Sequence, residues 1–494
     1  MNDHRPDRRT LLLAGGSLAA ATALPLATAG QAQAAETTGH ETAAGLTTRS
    51  PLVEQRADPF ITRPVNGMYY LTGSVPEYDR IVVRGAPTLD GLSQARERTV
   101  WRRPATGRMG GHIWAPELHR IDGRWFIYFA AGDSDNVFRV RIYVLESAAD
   151  DPREDAWLPP RRITTAWDTF SLDATTFEHR DRRYFVWAQG EPGIATNSNL
   201  YIAEMASPVE IKGTPVRIAV PTLDWEIQGF KVNEGAAVII RNGRVFLTYS
   251  ASATDARYAM GLLTADARAD LLDPASWVKS PQPVFVTDPN TRQYGPGHNC
   301  FTVAEDGTTD VLVYHARDYR DIKGDPLYDP NRHARVQRLH WNDDGTPSFG
   351  VPVGKGGPVI RLAPLDAPNT RVRHLADQLR VDSDIRDVAD SQFRIVPGFL
   401  GPDRIALQSV NFPDRYVRVV GTELVLAPYE DSDAYGRTAS FVRRPGLAHS
   451  AGGISLRLPD GERTYVTHDK GSLTLTTPTG RAGRARATFR LIES

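Results

Sequence analysis

Five stretches of the chain repeat one pattern, a turn followed by a run of aromatic and β-branched residues. They are Gly67-Met68-Tyr69-Tyr70-Leu71, Gly123-Arg124-Trp125-Phe126-Ile127, Asp181 to Trp187, Gly243-Arg244-Val245-Phe246-Leu247 and Thr309 to Tyr314. With Tyr69, Trp125, Tyr184, Val245 and Val311 as markers, the spacings are 56, 59, 61 and 66 residues. Short apolar runs between the markers are punctuated by Gly, Asn, Asp and Pro; few stretches sustain a helical period, and Asp266 to Trp277 offers one short helical turn. Near-even units built from several short strands predict the four-stranded blades of a five-bladed β-propeller over residues 51–353, an architecture that closes on itself and leaves few exposed sheet edges. A β-sandwich gives no reason for five even units.

A second periodicity follows Gly354-Lys355-Gly356-Gly357-Pro358, which reads as a linker. Ile360 to His374, Ile405 to Val419 and Ile454 to His468 align without gaps, each opening on Ile-x-Leu and each carrying a valine (Val372, Val417, Val466) at the same place. Phe393, Phe441 and Phe489 recur every 48 residues. Threefold repetition of short strands predicts a β-trefoil over residues 359–494, so the fold class is all-β.

Composition changes the picture at three points. The chain has 494 residues and a formal net charge of -1, with no basic excess of the kind that nucleic acid or an anionic membrane requires; the expected partner is neutral. Arg8 and Arg9 precede Thr10-Leu11-Leu12-Leu13, a small apolar stretch and Ala32-Gln33-Ala34, which predicts a twin-arginine signal peptide over 1–35 and export from the cell, followed by a flexible segment at 36–50. Cys300 is the only cysteine, so no intramolecular disulfide forms, and a buried small hydrophobe is its expected role.

The repeats also align chemistry. Eleven residues before Tyr69, Tyr184 and Val245 stand Asp58, Asp173 and Glu234, each on the strand that a hairpin turn joins to the marker strand. The same count from Trp125 gives Trp114, and the fifth unit, with two more turn residues, gives His298. The innermost strand of each propeller blade lines the central channel, so three carboxylates, a tryptophan and a histidine converge there. Unpaired charges so placed lose their hydration, a cost that stability alone does not justify and active sites tolerate. Two carboxylates on opposite walls suit glycoside hydrolysis, one protonating the departing oxygen and one activating water or attacking the anomeric carbon. The third keeps the acid protonated near neutral pH, and Trp114 can stack on a sugar face.

Ala57-Asp58-Pro59, Ile113-Trp114-Ala115-Pro116-Glu117, Ser171-Leu172-Asp173-Ala174, Val232-Asn233-Glu234-Gly235 and Gly295-Pro296-Gly297-His298-Asn299 resemble the defining motifs of glycoside hydrolase family 43, across about residues 51–350. The stretch Asn233 to Leu263, with Ser250 to Asp255, is most similar to its exo-acting α-L-arabinofuranosidases. The resemblance implies Asp58 as general base, Glu234 as general acid and Asp173 as the residue that tunes Glu234 and orients the sugar, in an inverting reaction. No cofactor is required for that chemistry. The resemblance also implies a water-bound cation, often calcium, near His298, for which a hydrogen-bonded core histidine is the alternative. Glu117, three residues past the inward position, is expected to be structural. Arg317 is a candidate to reach the substrate from the fifth blade, with a surface salt bridge as the alternative.

Ser409 to Arg418 and Ser440 to Gly446 resemble carbohydrate-binding module family 42, a trefoil that binds arabinofuranose. That family uses a His and an Asp in each repeat. Here the first repeat keeps His374 and Asp390, the second has Val419 and Thr438, and the third has His468 but Arg486, so His374 and Asp390 are the expected sugar site and His468 is expected to lack its acceptor. The leading reading is a monomeric, secreted, exo-acting arabinofuranosidase on plant cell-wall arabinan or arabinoxylan. A β-xylosidase, a bifunctional xylosidase or a non-catalytic arabinan-binding lectin are the alternatives.

Overall fold

The computed structural model describes residues 48–493 apart from 290, 343, 358, 449–452 and 462. The signal sequence read at 1–35 lies outside these residues. Four antiparallel sheets of four strands and one of three follow one another along the first part of the chain. Their innermost strands are Ala57–Ile61, Ile113–Ile121, Ser171–His179, Asn233–Arg241 and Tyr294–Val303. The helical turn expected before Trp277 is a single 3-10 turn at Pro274–Ser276.

The second strands of the blades (Tyr69–Ser74, Arg124–Ala131, Arg182–Gln189, Arg244–Ala251 and Asp310–Arg317) are buried along nearly their whole length. Alternate residues pack against opposite neighbours. Tyr70 joins Trp125 and Ile127, Phe126 joins Phe185 and Trp187, and Tyr184 joins Val245 and Leu247. Phe246 joins Leu312 and Tyr314, and Val311 and Val313 return to Tyr69 and Leu71. The five blades thus form a closed ring, a five-bladed β-propeller. A strand covered on both faces reads as a continuous apolar run, which is why these strands stood out as markers. Asn66-Gly67, Asp122-Gly123, Arg180-Asp181 and Asn242-Gly243 each hold two successive left-handed residues, with φ between 47° and 76°, as two-residue hairpins of type I′ require.

The chain ahead of the first blade fastens the ring. Leu52 N donates to Ala334 O at 2.8 Å and Ala334 N to Val53 O at 2.9 Å, on the outer strand of the fifth blade, while Gln55 N donates to His333 Nδ1. Just upstream, Ser50 and Gly356 exchange backbone hydrogen bonds and the Arg394 guanidinium meets Thr48 O.

The C-terminal strands form a closed antiparallel β-barrel. Val359–Pro364 pairs with Phe393–Gly398 and Phe489–Glu493; Gly401–Ser409 continues from Phe393–Gly398; Val442–Pro445 and Gly453–Arg457 complete the circuit, bridged at Ile405 and Phe441. Three hairpins, Arg371–Asp382, Arg415–Pro428 and Tyr465–Thr476, pair with one another at Gln378–Val425, Arg380–Ser472 and Glu423–Thr474. Phe393, Phe441 and Phe489 are all buried in one core with Val372, Val417 and Val466.

Candidate active site

Each innermost strand breaks register with its partner just where its candidate residue stands. The bulges fall between Ala57 and Phe60, Trp114 and Glu117, opposite Leu172 to Thr175, between Glu234 and Ala237, and between Tyr294 and Cys300. At each one a residue adopts a left-handed backbone: Asp58, Ala115, Asp173, Gly235 and His298 have φ of 50°, 45°, 55°, 58° and 42°. Residues other than glycine occupy that region at a cost of about 1–3 kcal/mol each, and bulges re-aim side chains beside active sites. Five such bends, one per blade, direct Asp58, Trp114, Asp173, Glu234 and His298 into one cavity of about 560 Å³.

Asp58 has the most partners. Its Oδ2 accepts from Ser74 Oγ at 2.5 Å, and Ser74 Oγ accepts from Ala115 N at 2.8 Å, tying the first blade to the second. Arg332 Nη1 lies 3.3 Å from Asp58 Oδ1, with Nη2 donating to Tyr78 Oη at 2.9 Å. His298 Nδ1 stands 3.3 Å from Asp58 Oδ1 and 3.7 Å from Asp173 Oδ2. Asp58 N donates to His315 Nδ1 at 3.1 Å, so that imidazole is neutral with its proton on Nε2. Asp173 Oδ2 accepts from Gly235 N at 3.0 Å, and Glu234 Oε1 from the Tyr258 hydroxyl at 2.9 Å. Trp114 lies stacked on His112, centroids 4.9 Å apart, and lines the cavity.

Residues 48–347 match glycosyl hydrolases family 43, and residues 366–491 match the alpha-L-arabinofuranosidase B domain. The chain belongs to glycosyl hydrolases family 43. Among its relatives, an extracellular exo-alpha-(1->5)-L-arabinofuranosidase of Streptomyces avermitilis is 51% identical over 410 residues, 83% of this chain and 85% of that protein. Alpha-L-arabinofuranosidase 43 of Humicola insolens is 48% identical over 89% of this chain and 94% of its own length. The crystal structure of alpha-L-arabinofuranosidase from Lactobacillus brevis, 56% identical, superimposes with a TM-score of 0.61 over 62% of this chain and 98% of that one.

In this family 43 protein the channel carboxyls are driven apart electrostatically. Burial alone raises Asp58, but the facing Arg332 and the Ser74 hydroxyl oppose it and hold the carboxyl well below the usual range. Burial also keeps His298 and His315 neutral, so the permanent positive charge facing Asp58 is that of Arg332. Burial pushes Glu234 up to about 7; the Tyr258 hydrogen bond opposes this, the Asp58 charge adds to it and Arg332 subtracts. Asp173 is raised well above a carboxylate's ordinary value by burial and by the charges of Glu234 and Asp58, against the Gly235 N–H.

Two expectations need correction. Arg317 does not line the cavity: it is 1% exposed, and its guanidinium donates to Asp329 Oδ1, Thr254 O and Pro326 O, which staples two loops. Arg332, from the loop ahead of the strand His333–Arg338, takes the position by Asp58. Arg332, Ser74, Tyr258 and His315 escaped the sequence reading because none occupies the repeated inward position. Glu117 is buried against His119 Nε2 at 2.9 Å, away from the cavity, and Cys300 is buried, with Ile61 N 3.2 Å from its sulfur.

On the barrel, His374 Nε2 lies 3.0 Å from Asn411 Oδ1 and 3.6 Å from Asp390 Oδ1, while Asn411 Nδ2 donates to Asp390 Oδ1 and Arg373 to Asp390 Oδ2. His374 and Asp390 therefore meet, with Asn411 of the next repeat between them. The second correction concerns His468, which has an acceptor after all: Asp366 Oδ1 at 2.8 Å. Asp366 stands six residues past Ile360, as Asn411 stands six past Ile405, so the third repeat closes onto the first. Thr438 bonds to the helix carbonyls of Ala434 and Tyr435, and Arg486 lies 3.7 Å from Asp469.

Proposed function

We propose that this protein is an inverting, exo-acting α-L-arabinofuranosidase that removes terminal arabinofuranose from plant cell-wall arabinan or arabinoxylan. The observation that carries the reading is the pair of carboxyls driven apart within one cavity, Asp58 kept ionised beside Arg332 and Glu234 kept protonated near neutrality. Asp58 takes a proton from water, the water oxygen attacks the anomeric carbon, and Glu234 gives its proton to the departing oxygen. Asp173, its Oδ2 held by Gly235 N, is a second buried acid whose ionisation and that of Glu234 oppose each other, and it accepts from a sugar hydroxyl. Trp114 stacks on the furanose, and His298 orients Asp58. The names of the relatives favour arabinofuranose over xylose.

The same reading includes a cation held near His298. Both polar side-chain atoms of the adjoining Asn299 are buried without a partner among the described residues, as is His315 Nε2, which supports ordered water at this depth. His298 and Asn299 would hold the ion through such water, and it would supply positive charge toward the channel carboxylates. The barrel is read as a β-trefoil that keeps the enzyme on its polymer, supported by its three mutually paired hairpins and by the His374–Asp390–Asn411 cluster. Export is supported by the relatives described as extracellular, and the twin-arginine route by Arg8-Arg9 ahead of an apolar stretch.

Incubation with debranched arabinan, arabinoxylan and xylo-oligosaccharides tests the proposal. Release of arabinose, first formed with inverted anomeric configuration, is the expected result. Xylose as the main product, retained configuration or no product overturns it.

A further inference from the structure

Tyr258 immediately precedes the third strand of the fourth blade, Ala259–Asp266, and is 2% exposed. Its orientation is fixed from two sides. The ring lies flat against His315, centroids 5.7 Å apart and planes 8° from parallel. On another side the fifth blade makes room for it with Gly297, where a Cβ would come within 2.5 Å of Tyr258 Cε1. The phenol so held has one acceptor among the described residues, Glu234 Oε1 at 2.9 Å.

A carboxylic acid carries one proton on two oxygens, and either oxygen can hold it. The charged or titratable groups facing Glu234 are Asp58 from the first blade, Asp173 from the third, Arg332 from the fifth and Tyr258 from its own blade, with the neutral His298 and His315 beyond. Of these, Tyr258 is the one whose hydroxyl sits at hydrogen-bonding distance from a Glu234 oxygen among the described residues.

We propose that Tyr258 is a positioning residue for the general acid: by donating to Glu234 Oε1 it confines the carboxyl proton to Oε2, the oxygen from which it is delivered to the departing sugar. When that proton leaves, Glu234 becomes an anion and the bond from Tyr258 becomes charge-assisted, so the contact is stronger after transfer than before and favours the transition state over the bound substrate. The Tyr258 hydroxyl keeps its own proton throughout, because burial and the three carboxylates push its ionisation far above the ordinary phenol range. The inference rests on Glu234 being the acid.

The test compares Tyr258→Phe, which keeps the ring and loses the hydroxyl, with Glu234→Gln on two substrates. 4-Nitrophenyl α-L-arabinofuranoside has a leaving group that departs with little protonation; an arabinose disaccharide has an alkoxide that does not. Both variants should lose kcat/KM on the disaccharide, Tyr258→Phe by about 10- to 100-fold, because it weakens but does not remove a general acid that contributes roughly 100- to 10,000-fold. Both should lose at least tenfold less on the aryl substrate, and the alkaline limb of Tyr258→Phe should move to higher pH. If Tyr258→Phe does not fold, 3-fluorotyrosine at position 258 provides the same test with opposite sign, because a stronger donor favours ionised Glu234 and moves the limb to lower pH. An equal loss on both substrates with an unmoved limb, while Glu234→Gln shows the split, overturns the role of Tyr258. A Glu234→Gln variant without the split overturns the assignment of the acid, and this inference with it.

Discussion

Replacing Glu234 by Gln should make the protein more stable, and the gain should grow with pH. Glu234 is pushed from 4.5 in the open chain to about 7 in the fold. Below pH 4 the carboxyl is protonated in both states and exerts no pH-dependent effect. Between those values the unfolded chain releases the proton and the folded chain keeps it, so stability falls as pH rises; above about 7 the folded carboxyl ionises too and the loss levels off. A tenfold change in proton affinity corresponds to about 1.4 kcal/mol, so the full displacement makes the ionised carboxyl up to about 3 kcal/mol costlier inside than outside. Glutamine has the same shape and no charge to bury. The difference between Glu234→Gln and the parent should therefore be small at pH 4 and rise to about 3 kcal/mol at pH 8, which denaturant titrations across that range measure directly. A difference that is constant with pH, or that shrinks as pH rises, refutes the argument that burial holds this carboxyl protonated.

Asp58→Asn should lower turnover by orders of magnitude in a folded protein; in the parent, because Asp58 is held below the usual carboxylate range, kcat/KM should persist through pH 4, and an acidic limb near pH 5 refutes this. Asp173→Asn removes the like charge coupled to Glu234, so the alkaline limb should move to lower pH, and an unmoved limb with normal turnover excludes its role. On the barrel, His374→Ala and His468→Ala should each weaken the affinity of the full-length chain for arabinan by about 3- to 10-fold, the equivalent of one hydrogen bond at about 0.5–1.5 kcal/mol. Affinity electrophoresis in a Glu234→Gln background measures both, and retention unchanged by His468→Ala returns the binding to the first repeat alone.

The ring was legible because its second strands are covered on both faces and its hairpins use Asn-Gly, Asp-Gly and Arg-Asp turns, two strictly local signals. Three carboxylates at one repeated position were legible for the same reason. The bends that aim them were not: nothing about Ala115 favours a left-handed backbone, and the surrounding blades impose it. Arg332 and Arg317 show the limit most sharply. Both lie in the fifth unit and both are buried, yet which one meets Asp58 depends on the path of the 318–332 loop, which is longer than the corresponding loops of the other blades. Likewise Asp366 and His468 are 102 residues apart, and pairing residues within a repeat misses a contact made between the last repeat and the first.

The strap at residues 48–55 sets the order in which the molecule can be completed. Its contact from Gln55 to His333 spans 278 residues, and joining chain ends that far apart costs roughly 5 kcal/mol of loop entropy before any compensating contact forms. During synthesis the strap emerges ahead of all five blades and waits until the fifth exists to receive it; the linker residue Gly356 and the barrel residue Arg394 that it touches emerge later still. The outer strand of the fifth blade, His333–Arg338, is made after the other strands of the five blades, so a chain cut short before residue 334 can still bring Val311 and Val313 to Tyr69 and Leu71 but leaves the strap without its partner.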